Sequence, residues 1–257
     1  MTTVRAAANL PSFFEGARFD LKWRNFTADL DFWIRQARKY SGPVLDLACG
    51  TGRVSLHLTR AGFRVTGIDS SETLLREAAR KCLRLSLSAE WVKHDIREFD
   101  LGTRFPLVIL PGNSISTFME TKDLEACFAC VKRHLAPKGK VVIDLFNPDL
   151  EILSRDPKER FPHVRYPAHN GRGMVVVTES NSYDTVRQVN LIRRYHKMPR
   201  EARELVEEFA VRVYFPQELV SLLKYNGFLI EAKYGDYDES AFGAESPKQL
   251  IVCSAPL

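Results

Sequence analysis

Between Pro43 and Phe146 short apolar runs closed by aspartate, glycine or proline alternate with stretches of helical spacing. Strands are expected at Pro43–Leu47, Arg64–Asp69, Glu90–Lys93, Leu107–Leu110 and Lys140–Phe146, and helices over 26–40, 53–60, 72–82 and 121–135. Ser70 and Ser71 stand where a helix cap belongs, and Ala61-Gly62 follows the end of another. The strands are apolar at odd and even positions alike, which suits burial on both faces. A parallel sheet covered by helices on both sides accommodates that order.

The pattern changes near Pro148. From Met174 to Phe215, "MVVVTESNSYD", "TVRQVNLIRRYHK" and "ELVEEFAVRVYF" are β-branched and alternating, as in an inserted antiparallel meander. A helix follows in "PQELVSLLKYNG", with Pro216 in its first turn and Gly227 beyond its end. "FLIEAKYGDYD" and "KQLIVCSAP" then return to the sheet as a closing pair.

Composition narrows the class. The 257 residues are 45% apolar and 27% charged, with no run long enough to cross a bilayer and no apolar leader core in "MTTVRAAANLPSFFEG". A soluble cytoplasmic protein without a membrane partner is expected. Five cysteines, odd in number and scattered, do not make a disulfide framework. Cys127 and Cys130 form a CxxC with no second ligand pair, so a buried helix face is expected and no metal site. The net charge of +5 comes from basic residues interleaved with acidic ones, which argues against a nucleic-acid partner.

"VLDLACGTG" (44–52) joins the first strand to its helix through side chains almost too small to pack. At the carboxyl end of such a strand, small residues let backbone amides and a helix N-terminus approach a ligand. The G-x-G-x-x-G spacing fails, because Ser55 follows Gly50 and Gly52; the P-loop lysine is also missing. A nicotinamide dinucleotide and a nucleoside triphosphate are thereby disfavoured. Asp69 ends the next strand and can accept two ribose hydroxyls; Asp95 ends the third and can accept from an exocyclic amine.

Together these residues resemble the class I S-adenosylmethionine-dependent methyltransferases, from Val44 to Phe146. "DLACGTG" is similar to that family's first motif, with Ala48 where glycine is more usual. The resemblance implies a Rossmann-like α/β fold, a mostly parallel seven-stranded sheet with its last strand antiparallel and helices on both faces. It implies S-adenosyl-L-methionine as cofactor and S-adenosyl-L-homocysteine as product. Asp46 and Ala48, Cys49, Gly50, Thr51 and Gly52 would hold the methionine moiety, Asp69 with Ser70 the ribose, and Asp95 with Ile96 the adenine. Pro111, Gly112 and Asn113 would line the transferred methyl. "GNS" and "VIDLFNPD" are similar to segments of the glycine and sarcosine N-methyltransferases, but Phe146 replaces the arginine that holds their substrate carboxylate, so glycine is not expected as acceptor.

One methyltransferase domain is expected, with N-terminal cap helices over 1–42, a cofactor-binding core over 43–147, an inserted lid over 148–214 and a closing helix and strand pair over 215–257. Phe14, Phe19 and Trp23 are candidates to close over the cofactor, and Tyr166, Tyr183, Tyr195, Tyr234 and Tyr237 to enclose an acceptor. A sulfonium methyl is already electrophilic, so alignment and exclusion of water matter most. Weak candidates for direct chemical help are Asn113, Tyr183, His196 and Tyr237, with His163 and His169 as further bases. The expected activity is methyl transfer to N or O of a small molecule by a monomer or homodimer. A tRNA or protein acceptor, or a binding-only module, stands as the alternative.

Overall fold

The computed structural model describes residues 26–168, 173–199 and 203–256. Among them two compact units are distinguished, one of residues 148–213, the other of 26–147 with 214–256. Phe14, Phe19, Trp23 and His169, singled out above, lie outside the described residues.

The larger unit runs α1 (Leu30–Tyr40), β1 (Val44–Leu47), α2 (Arg53–Arg60), β2 (Val65–Asp69), α3 (Glu72–Arg84), β3 (Glu90–Lys93) and β4 (Phe105–Leu110). After a 3-10 turn at Ser114–Thr117 come α4 (Thr121–His134) and β5 (Leu135–Phe146). The smaller unit holds α5 (Leu150–Leu153), β6 (Phe161–Pro167), β7 (Met174–Asp184), β8 (Val189–Lys197) and β9 (Leu205–Arg212). The chain then returns to the larger unit through α6 (Pro216–Tyr225), β10 (Leu229–Tyr234) and β11 (Lys248–Ser254).

The seven-stranded sheet has the order β10-β11-β5-β4-β1-β2-β3. Strands β1 to β5 pair in parallel, while β11 is antiparallel to both β5 and β10. Strand order reverses between β1 and β4, and in an open α/β sheet the carboxyl ends at that point form the ligand crevice. Alternation assigns the two faces. Val108 and Leu110 of β4 join Phe128 and Val131 of α4 and Leu219 and Leu223 of α6 in one core. Leu107 and Ile109 join Phe32 and Trp33 of α1 and Val54 and Leu58 of α2 in the other. Each fully buried aliphatic or aromatic side chain contributes roughly 1.5–3 kcal/mol of transfer free energy. Asp46 and Asp144 share the strand parity of the second core, Asp46 beside Val44 and Asp144 beside Val142.

The smaller unit carries the antiparallel sheet β6-β7-β8-β9. The meander thus has four strands, where the sequence pattern gave three; Phe161–Pro167 is added. β5 begins at Leu135, five residues before the expected Lys140, because Leu135 pairs with Phe105 before a register shift brings Lys140 opposite Leu107. α1 starts at Leu30, later than 26.

Candidate functional site

The loop after β1 is built from left-handed backbone. Ala48, Gly50 and Gly52 have φ of 56°, 56° and 77°. Glycine adopts this region freely, whereas alanine pays about 1 kcal/mol or more. Cys49 N–H donates to the Ile68 carbonyl at 2.9 Å, extending the β1–β2 ladder by one residue before the chain turns into α2. Beneath the loop, a Cβ added to Gly52 would stand 2.6 Å from Trp91 Cη2, and one added to Gly67 would stand 2.8 Å from Cys49 Sγ. Gly52 is required by close approach as much as by φ, and Gly67 by close approach alone.

Two carboxylates flank this loop. Asp69 is 8% exposed. It accepts from Gly50 N–H through Oδ2 and from Ser71 N–H through Oδ1, each at 2.8 Å. Burial raises its pKa and those two amides pull it back. Asp46 is buried, with Oδ2 accepting from Ser55 Oγ at 2.5 Å and Oδ1 without a partner. Burial pushes its pKa up to about 7, against the opposing effects of Ser55 and Arg53. Burial, with the charges of Asp46 and Asp69, holds the Cys49 thiol well above its usual range, so it is no nucleophile at neutral pH.

Ser70 is exposed beside Asp69, and Ser71 caps α3 by accepting from Leu74 N–H at 3.3 Å. β3 ends at Lys93, so Asp95 lies two residues past the strand and does not end it as expected. Its carboxylate makes a fork with Arg97, Nε to Oδ1 at 2.9 Å and Nη2 to Oδ2 at 2.6 Å, and Arg97 holds that acid below its ordinary pKa. Ile96 is buried in the core beside it.

On the other side of the switch point, Pro111, Gly112 and Asn113 leave β4 in a turn whose last two residues have φ of 66° and 63°. Gly112 N–H donates to Asp144 Oδ2 at 3.0 Å. Tyr237 O–H donates to the same oxygen at 2.9 Å, and its ring packs against Phe26 and Phe32. Tyr237 sits in the loop between β10 and β11 but is only 8% exposed, so it is a buried anchor there. Burial and the nearby Asp144 charge raise its pKa, which keeps the phenol protonated.

Arg53, the first residue of α2, makes a second fork, to Asp29 at 2.6 Å through each nitrogen, and Asp29 also accepts from Trp33 Nε1–H at 3.1 Å. The structure therefore gathers Asp46, Ala48 to Gly52 and Asp69 around one loop, and Pro111 to Asn113 with Tyr237 around another. Tyr183 lies on β7 and His196 on β8 of the smaller unit. His196 is 2% exposed, with Nδ1 3.2 Å from Tyr166 Oη and Nε2 3.3 Å from Glu207 Oε2. His163 is exposed on β6. Sequence reading missed Asp29, Arg53, Asp144 and Lys248. Asp144 carried a signal, a lone carboxylate inside the apolar run "VVIDLF". Among the described residues no cluster of three or more His, Cys, Asp or Glu could hold a metal, and no helix is long and apolar enough to cross a membrane.

Residues 44–139 match the family described as "Methyltransferase domain". The cypemycin N-terminal methyltransferase of Streptomyces sp is 32% identical over 60% of this chain and 60% of its own length. The glycine/sarcosine N-methyltransferase of Aphanothece halophytica is 28% identical over 82% of this chain and 75% of its own. The chain spans about half the length of the first curated relatives it matches. Among solved structures, that of CalS10 with bound S-adenosylmethionine, an amino pentose methyltransferase of Micromonospora echinaspora, superposes with a TM-score of 0.70 at 20% identity, covering 93% of this chain and 96% of that one. Residues 44–139 are thus similar to the methyltransferase domain family, and the chain shares its fold, sheet order included, with the CalS10 methyltransferase.

Proposed function

We propose that the chain is an S-adenosylmethionine-dependent methyltransferase acting on the nitrogen of a small-molecule amine. The observation that carries this reading is the left-handed loop Ala48–Gly52 tied by Gly50 N–H to Asp69. The cofactor fits the residues present. Each Asp69 oxygen accepts one backbone amide and keeps a lone pair for a ribose hydroxyl. The partnerless Asp46 Oδ1 suits the ammonium of the methionine moiety, with Cys49 and Thr51 contributing loop backbone. Ser70 would border the ribose, Asp95 and Ile96 the adenine, and Pro111 to Asn113 the methyl. When bound, the cofactor supplies a sulfonium methyl.

The chain's own task is then to align an unprotonated amine with that methyl and to exclude water. Asn113 Oδ1 is occupied by Phe146 N–H at 2.6 Å, and Tyr237 is held protonated, so neither is proposed as the base. An amine acceptor is supported by the names of the related proteins, which specify an N-terminus, glycine or sarcosine, and an amino pentose. We assign choice of acceptor to the inserted segment 148–214, with Tyr183 and His196 as its leading residues. Free thiols at all five cysteines support a reducing compartment, the cytoplasm. A monomer or homodimer without nucleic acid completes the proposal.

The test is release of S-adenosylhomocysteine with a panel of amines, phenols and carboxylates, and with bulk tRNA. Release with amines supports the proposal. Release with tRNA alone moves the acceptor to nucleic acid, and binding of S-adenosylhomocysteine without turnover across the panel leaves the binding-only module. Tyr183→Phe and His196→Gln are expected to change the amine KM and to leave cofactor affinity unchanged.

A further inference from the structure

We infer that Asp144 is a positioning residue for the proposed transfer: its carboxylate sets the Gly112–Asn113 turn, and Tyr237 and Lys248 hold that carboxylate. The inference rests on the methyltransferase reading. Asp144 is 0% exposed near the end of β5, on the sheet face shared with Asp46. Its partners come from three separate segments. Gly112 N–H and Tyr237 O–H share Oδ2 at 3.0 and 2.9 Å. Lys248 Nζ stands 2.7 Å from Oδ1 as an ion pair without an aligned hydrogen bond, its side chain 14% exposed.

The turn is fastened reciprocally. Asn113 N–H donates to the Asp144 carbonyl at 3.1 Å, and Asn113 Oδ1 accepts Phe146 N–H at 2.6 Å. Two consecutive left-handed residues, one of them not glycine, are thus pinned to β5 by both backbone and side chains. Lys248 is paired in register with Phe146 across β5 and β11, and Pro247 accepts Asn147 N–H at 2.9 Å, so the strand pair that closes the sheet frames the same corner.

Stability alone does not account for this arrangement. A buried ion pair is often matched or exceeded in stability by well-packed apolar residues. Its location does account for it, because the turn it fixes is the β4 exit at the switch point, where a ligand crevice lies. An acceptor-only carboxylate also fits three donors, whereas a carboxamide offers one oxygen and turns an NH2 toward a donor. Asp144→Asn therefore disturbs the turn while nearly preserving volume.

The experiment uses the full chain with Asp144→Asn, Tyr237→Phe and Lys248→Met, and Phe128→Leu as a core control of similar melting temperature. Amide exchange at Gly112, S-adenosylhomocysteine affinity by calorimetry, and kcat and KM with the panel amine giving most product are measured. Asp144→Asn is expected to speed Gly112 exchange at least tenfold and to lower kcat at least tenfold, with cofactor affinity and amine KM within threefold. Tyr237→Phe, which keeps the carboxylate and folds if Asp144→Asn does not, is expected to lower kcat two- to fivefold. Loss of kcat no greater than in Phe128→Leu, unchanged Gly112 exchange, or a parallel loss of cofactor affinity would each overturn the assignment. Failure of the methyltransferase reading is distinguishable, since it appears as a wild-type chain that releases no product with any acceptor.

Discussion

Gly50 N–H donates to Asp69 Oδ2 at 2.8 Å, so the carboxylate that ends β2 also shapes the loop that follows β1. Asp69→Ala removes an acceptor from two amides and two proposed hydroxyl contacts. Hydrogen bonds to a charged group contribute about 1.5–3 kcal/mol each. Calorimetry is expected to show S-adenosylhomocysteine affinity falling by more than about thirtyfold, since every 1.4 kcal/mol is tenfold. Unchanged affinity would remove Asp69 from the ribose site. Asp69→Asn is expected to fall between the two.

Gly52→Ala combines a positive φ of 77° with a Cβ placed 2.6 Å from Trp91 Cη2. Overpacking costs about 1–3 kcal/mol, and a non-glycine residue in this conformation about 1 kcal/mol more. Thermal melts are expected to show a marked loss of stability. Adding Trp91→Leu relieves the clash and leaves the φ strain, so recovery is expected to be partial. Full recovery would show that backbone conformation plays no part at Gly52.

The parallel sheet was legible because most of its strands are apolar at odd and even positions alike and alternate with stretches of helical spacing, both local signals. β6 was not, since Phe161–Pro167 is an edge strand with prolines at two of its seven positions, where pairing on one side tolerates them. The early start of β5 was hidden because Pro137-Lys138-Gly139 reads as a break, although the strand resumes pairing after it. In the site, Asp69 and the glycine loop were legible from their position at strand ends, and Asp46 from the motif that leads into that loop. Asp144 stood out only as a lone carboxylate in an apolar run and Lys248 not at all, because the role of each depends on partners about a hundred residues apart in the chain.

The Asp29–Arg53 fork predicts a stability effect distinct from cofactor binding. Asp29 is 0% exposed and is satisfied by Arg53 and Trp33. Removing one partner of a buried pair costs about 3–5 kcal/mol, and less here because Arg53 is partly open to solvent. Asp29→Ala is expected to lower the melting temperature by about 5–10 °C, given roughly 2–4 °C per kcal/mol at this size. Arg53→Lys, which cannot make the fork, is expected to lose part of that amount. An unchanged melting temperature in Asp29→Ala would show that the pair contributes nothing net.

Asp46 is expected to link stability and the proposed cofactor contact to pH with opposite signs. Its pKa is pushed by burial from 3.8 to about 7. Between those values the folded chain binds more protons than the unfolded one, so this contribution to stability is full below about 4 and is lost as pH rises to about 7. Asp46→Asn is expected to flatten that dependence and to melt higher than the wild type at pH ~8. The proposed ammonium contact behaves in the reverse way, because it needs the ionised carboxylate. S-adenosylhomocysteine affinity is therefore expected to climb as pH rises through about 7 in the wild type and to stay level in Asp46→Asn. Melting curves and calorimetry at several pH values check both slopes. A wild-type affinity that falls with pH would remove Asp46 from contact with the amino group.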